Sequence, residues 1–212
     1  MSFARRDLFR TLAAASLAAF AFALPASAQA PSAEELMVAG PLGERSLGKA
    51  DAPITIIEYA SMTCSHCATF HNTVYPTLKE KYIDTGKVRF ILREFPLDPL
   101  AAGAFMLARC AGEDKYFPMV DALFRAQKTW AAAQDPVAAL LTIAKQAGFT
   151  QQTFEQCLTN QQVLDGVEWV RQRAAEKFGV NSTPTFFING KIQRGAPTVE
   201  ELDKLLASLP PS

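Results

Sequence analysis

Residues 54–60, ITIIEYA, form a short run of β-branched and apolar side chains bounded by Pro53 and Ser61. Such a run predicts a buried strand. After a short interval, Phe70, Val74, Leu78 and Tyr82 recur every fourth residue and so share one face of a helix. Pro76 falls inside that pattern and is expected to kink it, and Thr85-Gly86 closes it. KVRFILREF, 87–95, alternates and predicts a second strand. Strand, helix and strand in this order predict a right-handed parallel βαβ unit.

From about Pro99 to Phe178 the strand signal disappears. Ala101–Cys110 is rich in alanine and leucine, and Asp114–Gln127 carries Phe117, Val120, Leu123 and Phe124 at helical spacing. Asp135-Pro136 reads as an N-cap with proline at the first helical position, and Gly148 ends that helix. Phe149 and Phe154 flank Thr150 as a hydrophobic staple. Asn160 can cap a long helix with Val163, Val167, Val170, Ala174 and Phe178 inward and Gly179 at its end. Phe105, Phe117, Phe124 and Trp130 are expected in the core. Strand signal returns in TPTFFINGKIQRG, with Asn189-Gly190 as the turn of a hairpin between Thr185–Ile188 and Lys191–Arg194. Thr198 with Glu201 makes a capping box, and Leu202, Leu205, Leu206 and Leu209 give the last helix its apolar face. The architecture is βαβ, a helical insertion, then ββα.

The N-terminus changes the picture of where this chain works. Arg5, Arg6 and Arg10 precede an apolar run from Leu12 to Leu24, and small residues up to Ala30 offer cleavage sites. That is the layout of an export signal over 1–30. The apolar run is short for a membrane span. The paired arginines fit a twin-arginine signal as well as the general secretory one. Without residues 1–30 the chain keeps 18 basic and 20 acidic residues, a balance of −2. Nothing in that balance favours nucleic acid or an anionic membrane as a partner. Export also places the four cysteines where disulfides persist.

Candidate chemistry centres on TCSHC, residues 63–67. A cysteine becomes an effective nucleophile only as a thiolate. The first turn of a helix presents unpaired N–H groups and the positive end of the macrodipole. Cys64 is expected there, more exposed than Cys67, with Ser65 and His66 facing its sulfur. Stabilising the thiolate stabilises the reduced pair and makes the disulfide an oxidant. A metal site is not expected. Cys64, Cys67 and His71 could share a helix face, but zinc needs a fourth ligand and the chain has two histidines and no second CxxC. A purely structural Cys64–Cys67 bond would close too little chain to stabilise much. His71 reads as a solvated or satisfied polar residue. Cys110 and Cys157 are either two buried thiols or an inter-helix disulfide.

The chain resembles the DsbA family of thiol oxidases. CSHC follows the ITIIEYA strand, Thr183-Pro184 in NSTPTFFING looks like the family's cis-proline loop, and Glu58 precedes Cys64 by six residues, where family members keep a buried acid. The resemblance covers essentially all of residues 31–212. It implies an α/β thioredoxin fold with an inserted all-helical domain: 31–97 and 179–212 as the two parts of the thioredoxin-like domain, and 98–178 as the insertion. It implies a redox-active disulfide with no other cofactor, donated through a mixed disulfide on Cys64, with Glu58 as the proton acceptor of Cys67 or else an ion-paired core acid. Thr183 and Pro184 would bind an extended substrate. The implied partners are unfolded exported proteins with cysteines and a quinone-linked membrane reoxidant of the DsbB type. The implied protein is a periplasmic monomer, and relatives of α-proteobacterial type carry a second disulfide, here Cys110–Cys157. Two positions depart from the prototype. Ser65 stands where it has proline. Thr183 stands where many oxidases have valine and the related isomerases often have threonine. An isomerase or reductase of the same fold is therefore the alternative reading, and a peptide-binding holdase with an idle dithiol the third.

Overall fold

The computed structural model describes residues 31–209, so the export signal expected over 1–30 lies outside the described residues. A five-stranded mixed sheet runs through the middle. Its strands are β1 (Ser46–Leu47), β2 (Ile54–Ala60), β3 (Val88–Glu94), β4 (Thr185–Ile188) and β5 (Lys191–Arg194), in the spatial order β1-β3-β2-β4-β5. β2 and β3 pair in parallel, Ile54 opposite Val88 through Ala60 opposite Glu94. β4 runs antiparallel to β2 and forms a hairpin with β5. Asn189 and Gly190 turn that hairpin with φ of 45° and 81°, the left-handed pair that a two-residue connection requires. β5 is exposed along its length and carries Lys191 and Arg194, which discourage pairing with another chain. This is the thioredoxin fold.

The period of two along the strands separates two dry layers. Ile54, Ile56, Ala60, Phe90, Leu92, Phe186 and Ile188 face the larger core. Ile57, Tyr59, Ile91 and Phe187 face the smaller one, under α1 (Ala33–Leu36) and α9 (Gln161–Phe178). The helix between β2 and β3 is broken, not merely kinked. α2 (Ser65–Thr73) stops short of α3 (Tyr75–Leu78), which has Pro76 in its first turn, and Lys79–Ile83 is a π-turn closed by the Asp84 N–H on the Lys79 carbonyl (2.9 Å). Proline has no N–H to give, and its ring collides with the carbonyl four residues back, so the break falls just before it.

Between β3 and β4 stand the helices of the insertion: α4 (Pro99–Cys110), α5 (Glu113–Arg125), α6 (Gln127–Trp130), α7 (Pro136–Gln146), α8 (Gln151–Leu158) and α9. The helix expected to reach Gln127 ends two residues earlier, and α6 starts afresh. Asp98, Asp135, Thr150 and Asn160 each accept a backbone N–H at a helix start. Cys110 and Cys157 are bonded and join α4 to α8. Phe105, Phe124 and Trp130 are buried, and Phe117 is half-buried against them. α10 (Val199–Ala207) closes the chain with Leu202 and Leu206 inward. A buried pair fastens the insertion to the sheet. Glu94, at the end of β3, is held by two bonds from Arg109 and one from the Tyr116 hydroxyl (2.9 Å), and Arg109 also donates to the carbonyls of Leu42 and Gly43.

Candidate active site

β2 delivers the chain to Ala60, three residues make a turn, and Cys64 becomes the N-cap of α2 with extended backbone angles. The turn is held from several sides. Leu97 N–H donates to Ser61 Oγ, Thr63 Oγ1 donates to Asp98 Oδ2, and the Gln127 carboxamide donates to the carbonyls of Met62 (2.8 Å) and Cys64 (2.9 Å). Asp98 does two things at once, since its other oxygen caps α4. Cys64 is half-buried and Cys67, one turn on, is fully buried. The Cys64 thiol donates to the Thr183 carbonyl across 3.2 Å. The Thr183–Pro184 peptide bond is cis, and the Gly195 N–H bonds the Pro184 carbonyl, so the loop lies against the start of α2.

The two thiols are driven apart. The Cys64 thiol is pushed down to about 5: the Cys67 thiol donates to its sulfur, partial burial opposes, and the Thr183 hydroxyl and the backbone N–H groups of Cys67 and His66 add to the effect. The bond seen between Cys64 and Thr183 runs to the Thr183 carbonyl, and the Thr183 hydroxyl itself is buried without a hydrogen-bond partner. Burial pushes the Cys67 thiol well up, aided by its bond to Cys64 and by the charge of Glu58. Alkylation of the reduced protein therefore occurs at Cys64 alone. Its rate is expected to stay level from pH 8 to 6 and to fall by about tenfold per pH unit below 5, as measured by iodoacetamide trapping. The stability linkage has the matching sign. A thiol whose folded value is depressed stabilises the reduced fold fully above its unfolded value near 9, and that gain is lost as pH falls through about 5.

Ser65 and His66 are exposed. Among the described residues, no hydrogen bond joins either side chain to Cys64, and His66 acts on the sulfur through its N–H. Glu58 lies fully buried on β2, and His71, expected as a solvated or satisfied residue, is satisfied and buried: its Nε2 is 2.9 Å from Glu58 Oε2. Cys110 and Cys157 sit in the insertion, away from this cluster in sequence and bonded to each other. Among the described residues no group of three or more His, Cys, Asp and Glu is placed to hold a metal ion. Sequence reasoning missed Gln127, Asp98 and the partnership of His71. Each is a polar residue whose partner is distant in the chain, so no local pattern marks it.

The thioredoxin family model matches residues 42–208. The crystal structure of Wolbachia pipientis alpha-DsbA1 superposes with a TM-score of 0.76 at 34% identity, covering 84% of this chain and 96% of that one. A Rickettsia bellii protein bearing the name of a protein-disulfide oxidoreductase is 33% identical over 68% of this chain. Disulfide bond formation protein D of Bacillus anthracis is 29% identical over 77% of this chain and 76% of its own length. This chain spans 56% and 54% of the lengths of the Rickettsia bellii and Rickettsia typhi relatives. A cysteine of depressed ionisation at a helix N-terminus, a buried second cysteine and a cis-proline loop agree with the likeness to alpha-DsbA1, and the chain belongs to the DsbA branch of the thioredoxin family.

Proposed function

We propose that this protein is a thiol:disulfide oxidoreductase that donates the Cys64–Cys67 disulfide to exported, unfolded proteins. The observation that carries the reading is the split between the two thiols, with Cys64 down to about 5 and Cys67 well up. A substrate thiolate attacks Cys64 Sγ. The Cys64–Cys67 bond breaks, its electron pair leaves on Cys67, and that sulfur takes a proton. A second substrate thiolate then attacks the substrate sulfur of the mixed disulfide and releases Cys64, a good leaving group because its thiolate is stable. Two electrons pass to the dithiol. A quinone-linked membrane protein of the DsbB type removes them. Glu58 is the proton acceptor for Cys67. Thr183 and Pro184 seat an extended substrate segment beside Cys64, and the exposed Ser65 and His66 border it. The site of action is the periplasm, reached by the twin-arginine or the general secretory route.

Equilibration in a series of glutathione buffers, with thiol trapping of Cys64 and Cys67, tests this reading. A reduction potential well above the glutathione couple is expected. A value near or below that of thioredoxin, about −270 mV, overturns the donor role in favour of a reductase. Thr183 is the residue that favours an isomerase as second reading. Reshuffling of a scrambled disulfide protein at a rate comparable to the oxidation of its reduced form would carry that reading instead.

A further inference from the structure

Glu58 breaks the pattern of its own strand. It lies on the face of β2 that carries Ile54, Ile56 and Ala60, and it is fully buried. One carboxylate oxygen, Oε2, meets His71 Nε2 at 2.9 Å, while the other, Oε1, is buried with no hydrogen-bond partner. A bare buried carboxylate oxygen has lost its water without replacement and calls for a reason. His71 stands four residues after Cys67 on α2, so the two share a helix face. The imidazole is also locked in place. Phe124 of α5 stacks on it at 4.2 Å and 20°, Phe70 meets it edge-on, Tyr75 lies 5.0 Å away, and Asn72 Nδ2 donates to the Phe124 carbonyl.

We propose that His71, held by Phe124, is a positioning residue for the dithiol: it fixes Glu58 through Oε2, leaving Oε1 as the atom that exchanges a proton with Cys67. The inference rests on the oxidoreductase reading and adds two residues to it. When Cys67 acts, its S–H proton passes to Glu58 Oε1. The Cys67 thiolate attacks Cys64 Sγ, the bond from Cys64 to its partner sulfur breaks, and the electron pair leaves on that partner. In the other direction Cys67 leaves as a thiolate and takes the proton back. Proton transfer moves one negative charge from carboxylate to sulfur inside a dry layer. The His71 contact at Oε2 holds the carboxyl group in one orientation through that transfer, so that Oε1 stays aimed at the dithiol. The titratable groups facing His71 are Glu58 on β2, Cys67 on α2 and Tyr75 on α3, with Asp121 one turn before Phe124 on α5. Burial and the charge of Glu58 push the Tyr75 phenol up, so it stays neutral.

The test follows the reduced protein reacting with glutathione disulfide, with acid quench and intact mass. Cys64 forms a glutathione adduct, releasing one glutathione, and Cys67 resolves it, releasing the second. In Glu58→Gln and His71→Gln the ratio of resolution to formation is expected to fall at least about tenfold, so that the adduct accumulates. The pH profile of resolution is expected to move in His71→Gln. Phe124→Leu keeps every ionisable group and is expected to show a smaller fall of the same kind, which keeps the inference testable if His71→Gln does not fold. Resolution at the wild-type rate and pH profile in His71→Gln, with Glu58→Gln slow, overturns the role of His71 and leaves the oxidoreductase reading standing. A loss of melting temperature with both steps slowed alike makes His71 a packing residue and also overturns it. Neither a glutathione adduct nor a Cys64–Cys67 disulfide on the wild-type protein overturns the redox reading, and the inference with it.

Discussion

A Cys64→Ser variant is expected to oxidise a reduced, unfolded protein no faster than buffer alone, while Cys67→Ala accumulates mixed disulfides on Cys64. A hydroxyl forms no disulfide, so the first change removes the atom that substrate sulfur attacks. The second leaves that atom and removes the thiol that would resolve the adduct. Non-reducing gels of the two variants, incubated with reduced substrate and glutathione disulfide as the source of oxidising equivalents, separate these outcomes: glutathione caps Cys64, and a substrate thiolate displaces it to form the mixed disulfide. Equal retention of substrate by both would point to a binding module with an idle dithiol. Cys67→Ala should have another effect. The Cys67 thiol is the leading cause of the low Cys64 value. Its removal is therefore expected to move the ionisation of Cys64 up from about 5, seen as a shift of the thiolate absorbance in a pH titration.

Arg109→Leu is expected to destabilise the fold by about 3–5 kcal/mol, because it strands a carboxylate in a dry core. Glu94 is fully buried, and Arg109 covers both of its oxygens while a third nitrogen reaches the carbonyls of Leu42 and Gly43. Burial and the Glu94 charge push the Tyr116 phenol well up, so it stays protonated and keeps donating to the same carboxylate, but one neutral donor does not replace a guanidinium. For a domain of this length the loss lowers the melting temperature by roughly 10 °C. The double variant Arg109→Leu with Glu94→Leu is expected to recover part of it, since both charges then leave together. Calorimetry of the two variants decides the matter. A melting temperature of Arg109→Leu within error of the wild type would mean that water reaches Glu94.

Legibility in the sequence followed the range of the interactions. β2 occupies Ile54–Ala60, the run that ITIIEYA marks, because a buried strand states itself in consecutive residues. The Asn189-Gly190 turn and the caps at Asp135, Thr150, Asn160 and Thr198 are equally local. β1 went unseen because two residues carry no period, and its existence depends on the edge of β3. Cys64 and Cys67 announced themselves by spacing and by the strand before them. His66 did not behave as spacing suggested: its ring is exposed, and the thiolate is held by Cys67, Thr183 and backbone N–H groups. Thr183 and Cys64 meet across 119 residues, and Gln127 reaches back over 65 to Met62, distances at which one chain gives no periodic signal.

Gln127 carries a consequence for anyone moving this motif between scaffolds. Its carboxamide closes two carbonyls in the turn that presents Cys64, and it comes from the helical insertion, not from the βαβ unit that holds the cysteines. CSHC is therefore not a portable cassette. Grafted into a thioredoxin body that lacks α6, the same four residues would start their helix from a turn whose Met62 carbonyl is open, with the Cys64 carbonyl held by the Ala68 N–H alone, and the nucleophile would be aimed by solvent. A graft that keeps this geometry has to carry the glutamine with the tetrapeptide, although more than sixty residues of chain separate them.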